Sequence, residues 1–129
     1  MLLKKISTLI LVVLLVSMTS CRTNPVREIN NSAINFTKAY TIKDVKNLII
    51  KAGVSLGWSM KPVKPGVIIG TVYVRSHMAK VQITYNLKNY SILYKDSANL
   101  KYDGSSIHKN YNSWVANLER RINSDLSSF

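Results

Sequence analysis

The chain has 129 residues, 47% of them hydrophobic, and a formal charge of +12. That length holds one domain with short appendages and leaves no room for a second. One cysteine excludes an internal disulfide framework, two histidines are too few for the usual zinc sites, and the positive excess points to anionic partners or surfaces.

In chain order the first signal is a leader. Lys4 and Lys5, an apolar run from Ile6 to Val16, and Ser17, Thr19 and Ser20 ahead of Cys21 have the layout of an export signal. The run is about a dozen residues, short of the roughly 20 that a helix needs to cross the hydrocarbon core. Met18-Thr19-Ser20-Cys21 resembles the bacterial lipobox, with Met18 where Leu is usual. The expectation is a signal peptide over residues 1–20, cleaved before Cys21, with lipid on the Cys21 sulfur. Lipoprotein processing attaches at least two acyl chains, and two hold a protein at a membrane where one binds only marginally. With its one thiol consumed, the mature fold has to stand on packing alone, even in an oxidising compartment. Arg22 occupies the position at which an Asp retains Gram-negative lipoproteins at the inner membrane, so the resemblance implies the outer membrane, on its periplasmic side.

From Cys21 onward the chain carries sixteen basic and six acidic side chains, a formal +10. Residues 22–40 (RTNPVREINNSAINFTKAY) are rich in Asn, Ser and Thr and have no sustained periodicity. They read as a tether, residues 21–40, whose extended reach is about 60 Å, with Ile34 and Phe36 as points at which it could dock on the domain. The domain itself is expected over residues 41–129. Ile42, Val45, Ile49, Ala52 and Leu56 recur in steps of three and four and predict a helix, with Thr41 and Asp44 placed for a capping box and Gly57 as the C-terminal stop. Trp58 is expected to pack back onto that helix's last turn.

Strands follow. WSMKPV is a short extended piece, Pro65-Gly66 a turn, and VIIGTVYVR a β-branched strand in which Gly70 marks a bulge or a close approach. AKVQITYN alternates, with Ala79, Val81, Ile83 and Tyr85 on one face and Lys80, Gln82, Thr84 and Asn86 on the other, so one face is buried and one meets water. YSILYK continues the meander through Tyr90, Ile92 and Tyr94, and Asp96, Ser97, Asn99, Asp103 and Gly104 form an exit loop. Ser105 or Ser106 is placed to cap a last helix whose apolar stripe runs Ile107, Tyr111, Trp114, Leu118, Ile122 and Leu126. The predicted architecture is α+β: an N-terminal helix, a three- to four-stranded antiparallel meander and a C-terminal amphipathic helix, both helices on one face of the sheet. A small barrel-like closure is the alternative.

The sequence offers little for catalysis. Ser97, His108 and Asp96 or Asp103 assemble a hydrolase set only on paper, because Ser97 lies in no Gly-x-Ser-x-Gly elbow and these residue types are ordinary turn and cap formers. Six scattered acidic side chains suggest no glycosidase pair, and no phosphate-cradling glycine loop is present. No catalytic residue, metal or cofactor is expected. Basic residues interleave with aromatics at Tyr73 and Arg75, Lys80, Tyr90, Tyr94 and Lys95, and Lys101 and Tyr102. Export makes nucleic acid an unexpected partner for such a surface and headgroup phosphates of phospholipid or lipopolysaccharide better suited ones.

Trp58, Pro65-Gly66, Arg75-x-His77-x-Ala79-x-Val81-x-Ile83-x-Tyr85, Tyr90-x-Ile92-x-Tyr94-x-Asp96-Ser97-x-Asn99-Leu100-x-Tyr102 and Ile107-His108-x-x-Tyr111-Asn112-x-Trp114-Val115 together resemble a family of small proteobacterial lipoproteins, over about residues 41–126. The resemblance implies a lipoprotein of the Gram-negative envelope and carries no activity with it. It also singles out Arg75, His77, Asp96, Ser97, Asn99 and His108, which form either a polar recess for a ligand or a set of turn caps satisfied by nearby backbone. The functional expectation is a non-enzymatic module, anchored to the membrane through Cys21, that binds an envelope protein or an anionic lipid or polysaccharide. A small hydrolase using Ser97 and His108, and a lipid or lipopolysaccharide carrier with an internal apolar cavity, are the alternatives.

Overall fold

The structure, a computed structural model, describes residues 22–129, so the signal peptide expected over residues 1–20 and the lipidation expected at Cys21 lie outside the described residues. The elements run β1 (Thr23–Pro25), β2 (Ile29–Ala33), α1 (Ile42–Ser55), β3 (Ser59–Lys64), β4 (Val67–Val74), β5 (His77–Tyr85), β6 (Asn89–Ala98), β7 (Ser106–His108) and α2 (Lys109–Ser127). Five strands make an antiparallel sheet in the order β2-β6-β5-β4-β3, and β1 pairs with β7 in a separate two-stranded ribbon. The fold is α+β as predicted. Its sheet has one strand more than the meander, and the ribbon was not foreseen.

The helix and strands that carry their own pattern form where that pattern puts them. Thr41 caps α1: its hydroxyl accepts from the Asp44 N–H, and the Asp44 carboxylate accepts from the Thr41 N–H at 2.7 Å. At the other end Gly57 sits at φ +88°, a conformation that favours glycine. Its N–H reaches the Val54 carbonyl and the Trp58 N–H reaches that of Gly53, which is a complete Schellman closure. The closure turns Trp58 back under the helix, where it is buried. On α1 the buried face is Val45, Ile49 and Ala52, while the terminal members of the predicted stripe, Ile42 and Leu56, are exposed.

Strands β4 and β5 pair without interruption from Val67↔Thr84 to Val74↔His77, so Gly70 marks no bulge. It marks a close approach instead. A Cβ there would meet Met60 Sδ and Val81 Cγ2 at 3.2 Å and Trp58 Cε3 at 3.4 Å. Ala79, Val81, Ile83 and Tyr85 are buried as the alternation required, and with Ile68, Tyr90, Ile92, Tyr111, Leu118 and Ile122 they form one continuous core. A bulge at Lys95 interrupts β6, because Val81 faces Tyr94 while Lys80 faces Asp96. One extra residue moves Ser97 onto the face that carries Tyr94.

Two expectations need correction. Residues 22–40 are not a free tether: β1 and β2 lie within them, and Ile29 and Ile34 belong to the core. Composition misled here because the segment is ordered by partners distant in sequence rather than by a pattern of its own. Asn112 of α2 clamps it, donating to the Pro25 carbonyl at 2.9 Å and accepting from the Arg27 N–H at 2.8 Å, and Arg27 also pairs with Glu119 at 3.1 Å. Secondly, the last helix starts at Lys109 and is capped by His108, not by Ser105 or Ser106. Ile107 belongs to β7, although it is buried in the same core as the helix stripe.

Candidate functional site

Antiparallel connection sets two ends on the sheet. The Arg75–Ser76 turn between β4 and β5, the loop from Asn99 to Ser105 after β6, and the start of α2 gather at one of them. The Pro65-Gly66 and Asn86–Lys88 turns lie at the other.

At the first end Asn99 takes a positive φ of 58°, which Asn tolerates better than most residues. So placed, its side-chain amide donates to the Ser76 carbonyl at 2.6 Å, and its own carbonyl lies 2.7 Å from His77 Nδ1. A carbonyl can only accept, so His77 Nδ1 carries the proton. His108 has the opposite arrangement. Its Nδ1 accepts from the Asn110 N–H at 3.1 Å, which caps α2 and requires that nitrogen to be unprotonated. The two rings lie nearly parallel with centroids 6.5 Å apart. Burial holds the His108 pKa below its ordinary value, and the positive neighbours His77, Lys101, Lys109 and Arg22 push the same way.

The remaining members of the predicted cluster are engaged locally. Asp96 Oδ1 accepts from the Ser97 N–H at 2.8 Å, and the Ser97 hydroxyl shares a 2.8 Å hydrogen bond with Tyr94, whose ring stacks on Tyr102 with centroids 4.1 Å apart. Asp103 Oδ1 accepts from the N–H groups of Ser105 and Ser106, and these bonds hold its carboxyl below the usual range. Arg75 is exposed on its turn at φ +57°. The sequence-predicted residues are therefore brought to one end, but most of their polar atoms point at backbone. Among the described residues no hydrogen bond joins Ser97 to His108. Nor do three or more His, Cys, Asp or Glu side chains come together among them. Tyr94, Lys95, Asp96, Ser97, Lys101 and Tyr102 border an open recess of about 450 Å³.

A second recess lies at the opposite end and was missed by sequence reasoning. Ile42, Pro62, Val63 and Pro65 line a groove of about 540 Å³ together with Lys43, Lys46 and Lys64. Ile42 also borders a neighbouring recess with Leu87 and Lys88. Ile42, Val63 and Leu87 are each close to half exposed, the signal that something can cover them. The exposed end of the α1 stripe at Ile42 is the one sequence feature that pointed here. Inside the domain, by contrast, the space between sheet and helices is occupied by large side chains such as Ile49, Ile83, Tyr90 and Leu118, all fully buried. The Tyr90 hydroxyl donates to Asn123 Oδ1 at 2.6 Å, and burial pushes its pKa up to about 12.

Among the described residues no helix is long and apolar enough to cross a membrane. No protein-family model, curated protein or solved structure matches the chain.

Proposed function

We propose that this protein is a lipid-anchored binding module of the Gram-negative cell envelope, held through Cys21 at the outer membrane on its periplasmic side, and that it acts by recruiting a partner rather than by catalysis. The leader ending in Met18-Thr19-Ser20-Cys21 and the resemblance to small proteobacterial lipoproteins support the anchor. The partner meets the domain at its exposed groove.

The single observation that carries the binding reading is the chemistry of that groove, whose lining combines apolar Ile42, Pro62 and Val63 with the cations Lys43, Lys46 and Lys64. The two ion pairs among the described residues, Arg27–Glu119 and Arg121–Asp125, involve none of these lysines. Asp44, the nearest acid in sequence, is committed to the α1 capping box. Unpaired cations beside apolar side chains suit an acidic segment of an envelope protein that inserts an apolar side chain, more than a polysaccharide, which has nothing to place on Ile42 and Val63. A hydrolase on Ser97 and His108 draws no support from side chains that each have another partner, and a carrier draws none from a filled interior.

The test is cross-linking in intact cells followed by affinity capture, with the full-length protein and its Lys43→Glu/Lys46→Glu/Lys64→Glu variant in parallel. The expected result is one envelope protein captured with the wild type, lost with the variant, and bound in purified form with a Kd that weakens at least tenfold between 50 and 300 mM salt, as about three screened charge contacts imply. Capture of nothing above background, or of a partner indifferent to the charge reversal, overturns the reading. Binding of anionic polysaccharide in its place overturns the protein partner.

A further inference from the structure

We propose that the end of the domain built from the Arg75–Ser76 turn, the Asn99–Ser105 loop and the start of α2 lies directly on the phospholipid headgroups of the membrane that holds Cys21. This inference rests on the lipidation of Cys21 and adds a docking surface and an orientation to it.

The path of the chain carries the argument. Arg22, the residue after Cys21, is already pinned: its carbonyl accepts from the Lys109 N–H at 3.2 Å. Thr23 pairs with His108, and two residues further on Pro25 is held by Asn112. Cys21 is covalently tied to Arg22, and consecutive Cα atoms are about 3.8 Å apart. The headgroup layer is roughly 5–8 Å thick on each side of the hydrocarbon. A sulfur carrying acyl chains into the hydrocarbon therefore leaves too little chain for this end of the domain to stand clear of the headgroups. The length of chain that composition offered as a reach of tens of ångströms is spent inside the fold.

The side chains at this end suit the surface they are brought to. Arg22, Arg75, Lys101 and Lys109 are exposed and take part in neither of the two ion pairs of the described residues. Asp96 and Asp103 at this end each turn a carboxylate oxygen onto backbone N–H groups of the chain itself, and the exposed Glu28, near Tyr111, is the one further acid of the region among the described residues. Tyr73 and Tyr102 are exposed, at 74% and 42%, and flank the same turn and loop. Tyrosines with an apolar ring and a polar tip beside basic side chains are the residues that settle at a membrane interface. The lysine-lined groove lies at the other end of β4, so docking leaves it facing away from the bilayer.

The experiment uses the full-length protein matured in cells, with a nitroxide on Ser105→Cys at the docking end or on Leu87→Cys at the far end, reconstituted in vesicles of phosphatidylcholine and phosphatidylglycerol at 7:3. The mass of the N-terminal peptide reports the lipid on Cys21. Power saturation with oxygen and a water-soluble nickel chelate reports the depth of each label. The expected result is a lipidated Cys21, a Ser105 label at the level of the phosphates and a Leu87 label in bulk water. In the same vesicles, Arg75→Glu/Lys101→Glu/Lys109→Glu is expected to move the Ser105 label toward water. A lipidated protein with the Ser105 label in bulk water overturns the docking and leaves the anchor standing. A docked label unmoved by charge reversal overturns the basic contact. An unmodified Cys21 overturns the anchor, and the docking with it.

Discussion

The β4–β5 hairpin and the segment from Arg22 to Tyr40 are both ordered, and they are ordered by different means. In β5 every second residue from Ala79 to Tyr85 is apolar and buried, and β4 pairs with that strand over eight consecutive cross-strand pairs. In the N-terminal segment there is no period to read. Its backbone is held by groups that come from far along the chain: Ser105 and Asn112 at Val26 and Arg27, Ser91 at Asn31, Lys88 at Ile34. A polar, Asn-rich stretch can therefore be as much a part of the fold as a strand with a clear pattern, provided the partners wait elsewhere.

The sharpest way to break this comparison is to remove one core side chain from each region. Ile83 and Ile29 belong to the same cluster, the first fully buried and the second 7% exposed. Ile83→Ala is expected to cost about 3–5 kcal/mol and Ile29→Ala about 2–4 kcal/mol, from the transfer and cavity terms of large-to-small core substitution. Urea unfolding should show one transition for each variant, shifted to lower denaturant. If the segment were the loose tether that its composition suggests, Ile29→Ala would change the midpoint hardly at all.

That contrast also marks what the residues disclosed. Periodicity and capping chemistry were enough for α1, with Thr41 and Asp44 at its start and Gly57 at its end, and for the face of β5 that points into the core. Position 70 was legible as a choice between bulge and close approach, and only the packing of Met60, Val81 and Trp58 around it decides for the second. The start of α2 was misplaced because Ser105 and Ser106 look like caps. In the structure their N–H groups are taken by Asp103, and the capping role passes to a histidine, an uncommon residue there. The polar residues were singled out as a group by the family resemblance, which left open whether they form a recess or a set of turn caps. Their partners were not legible, since a carbonyl such as that of Asn99 or Ser76 leaves no trace in the side-chain sequence. The lysine-lined groove was hidden for the same reason, being assembled from α1, β3 and two turns that only the fold brings together.

A milder perturbation sharpens the comparison by releasing the N-terminal segment without touching the core. Among the described residues Asn112 is the one side chain that bonds the segment on both its donor and acceptor sides. Asn112→Ala is expected to cost about 1–2 kcal/mol, two hydrogen bonds at partly solvated positions. Hydrogen exchange should locate the loss. The amides of Val26 and Arg27 should exchange faster, while those of Val81 and Ile83 keep the protection of the global unfolding reaction. Equal loss of protection in both places would mean that the ribbon and the hairpin open as one unit.

The smallest expected effect is a pH dependence confined to the same end. His108 holds two things in place: its Nδ1 accepts the Asn110 N–H that starts α2, and its backbone pairs with Thr23. Protonation removes the acceptor. Because burial and the neighbouring positive charges keep the folded pKa of His108 below its ordinary value, the unfolded chain takes up the proton first as pH falls. Stability from this group is thus complete above the ordinary histidine value near 6.5 and is lost as pH falls through the lower folded value. His108 is only half-buried, so the wild-type Tm should fall by on the order of 1–2 °C from this source. His108→Asn keeps a side-chain acceptor suited to a helix cap and carries no titrating group, so its Tm should be flatter between pH 7.5 and 5.5. Exchange at Asn24 and Lys109 should rise with acidification in the wild type, beyond the intrinsic pH dependence of amide exchange, and not in the variant. A wild type and a His108→Asn variant with parallel Tm profiles would show that the cap does not titrate, and that the ribbon beside the chain's exit is held by Asn112 and its backbone pairs alone.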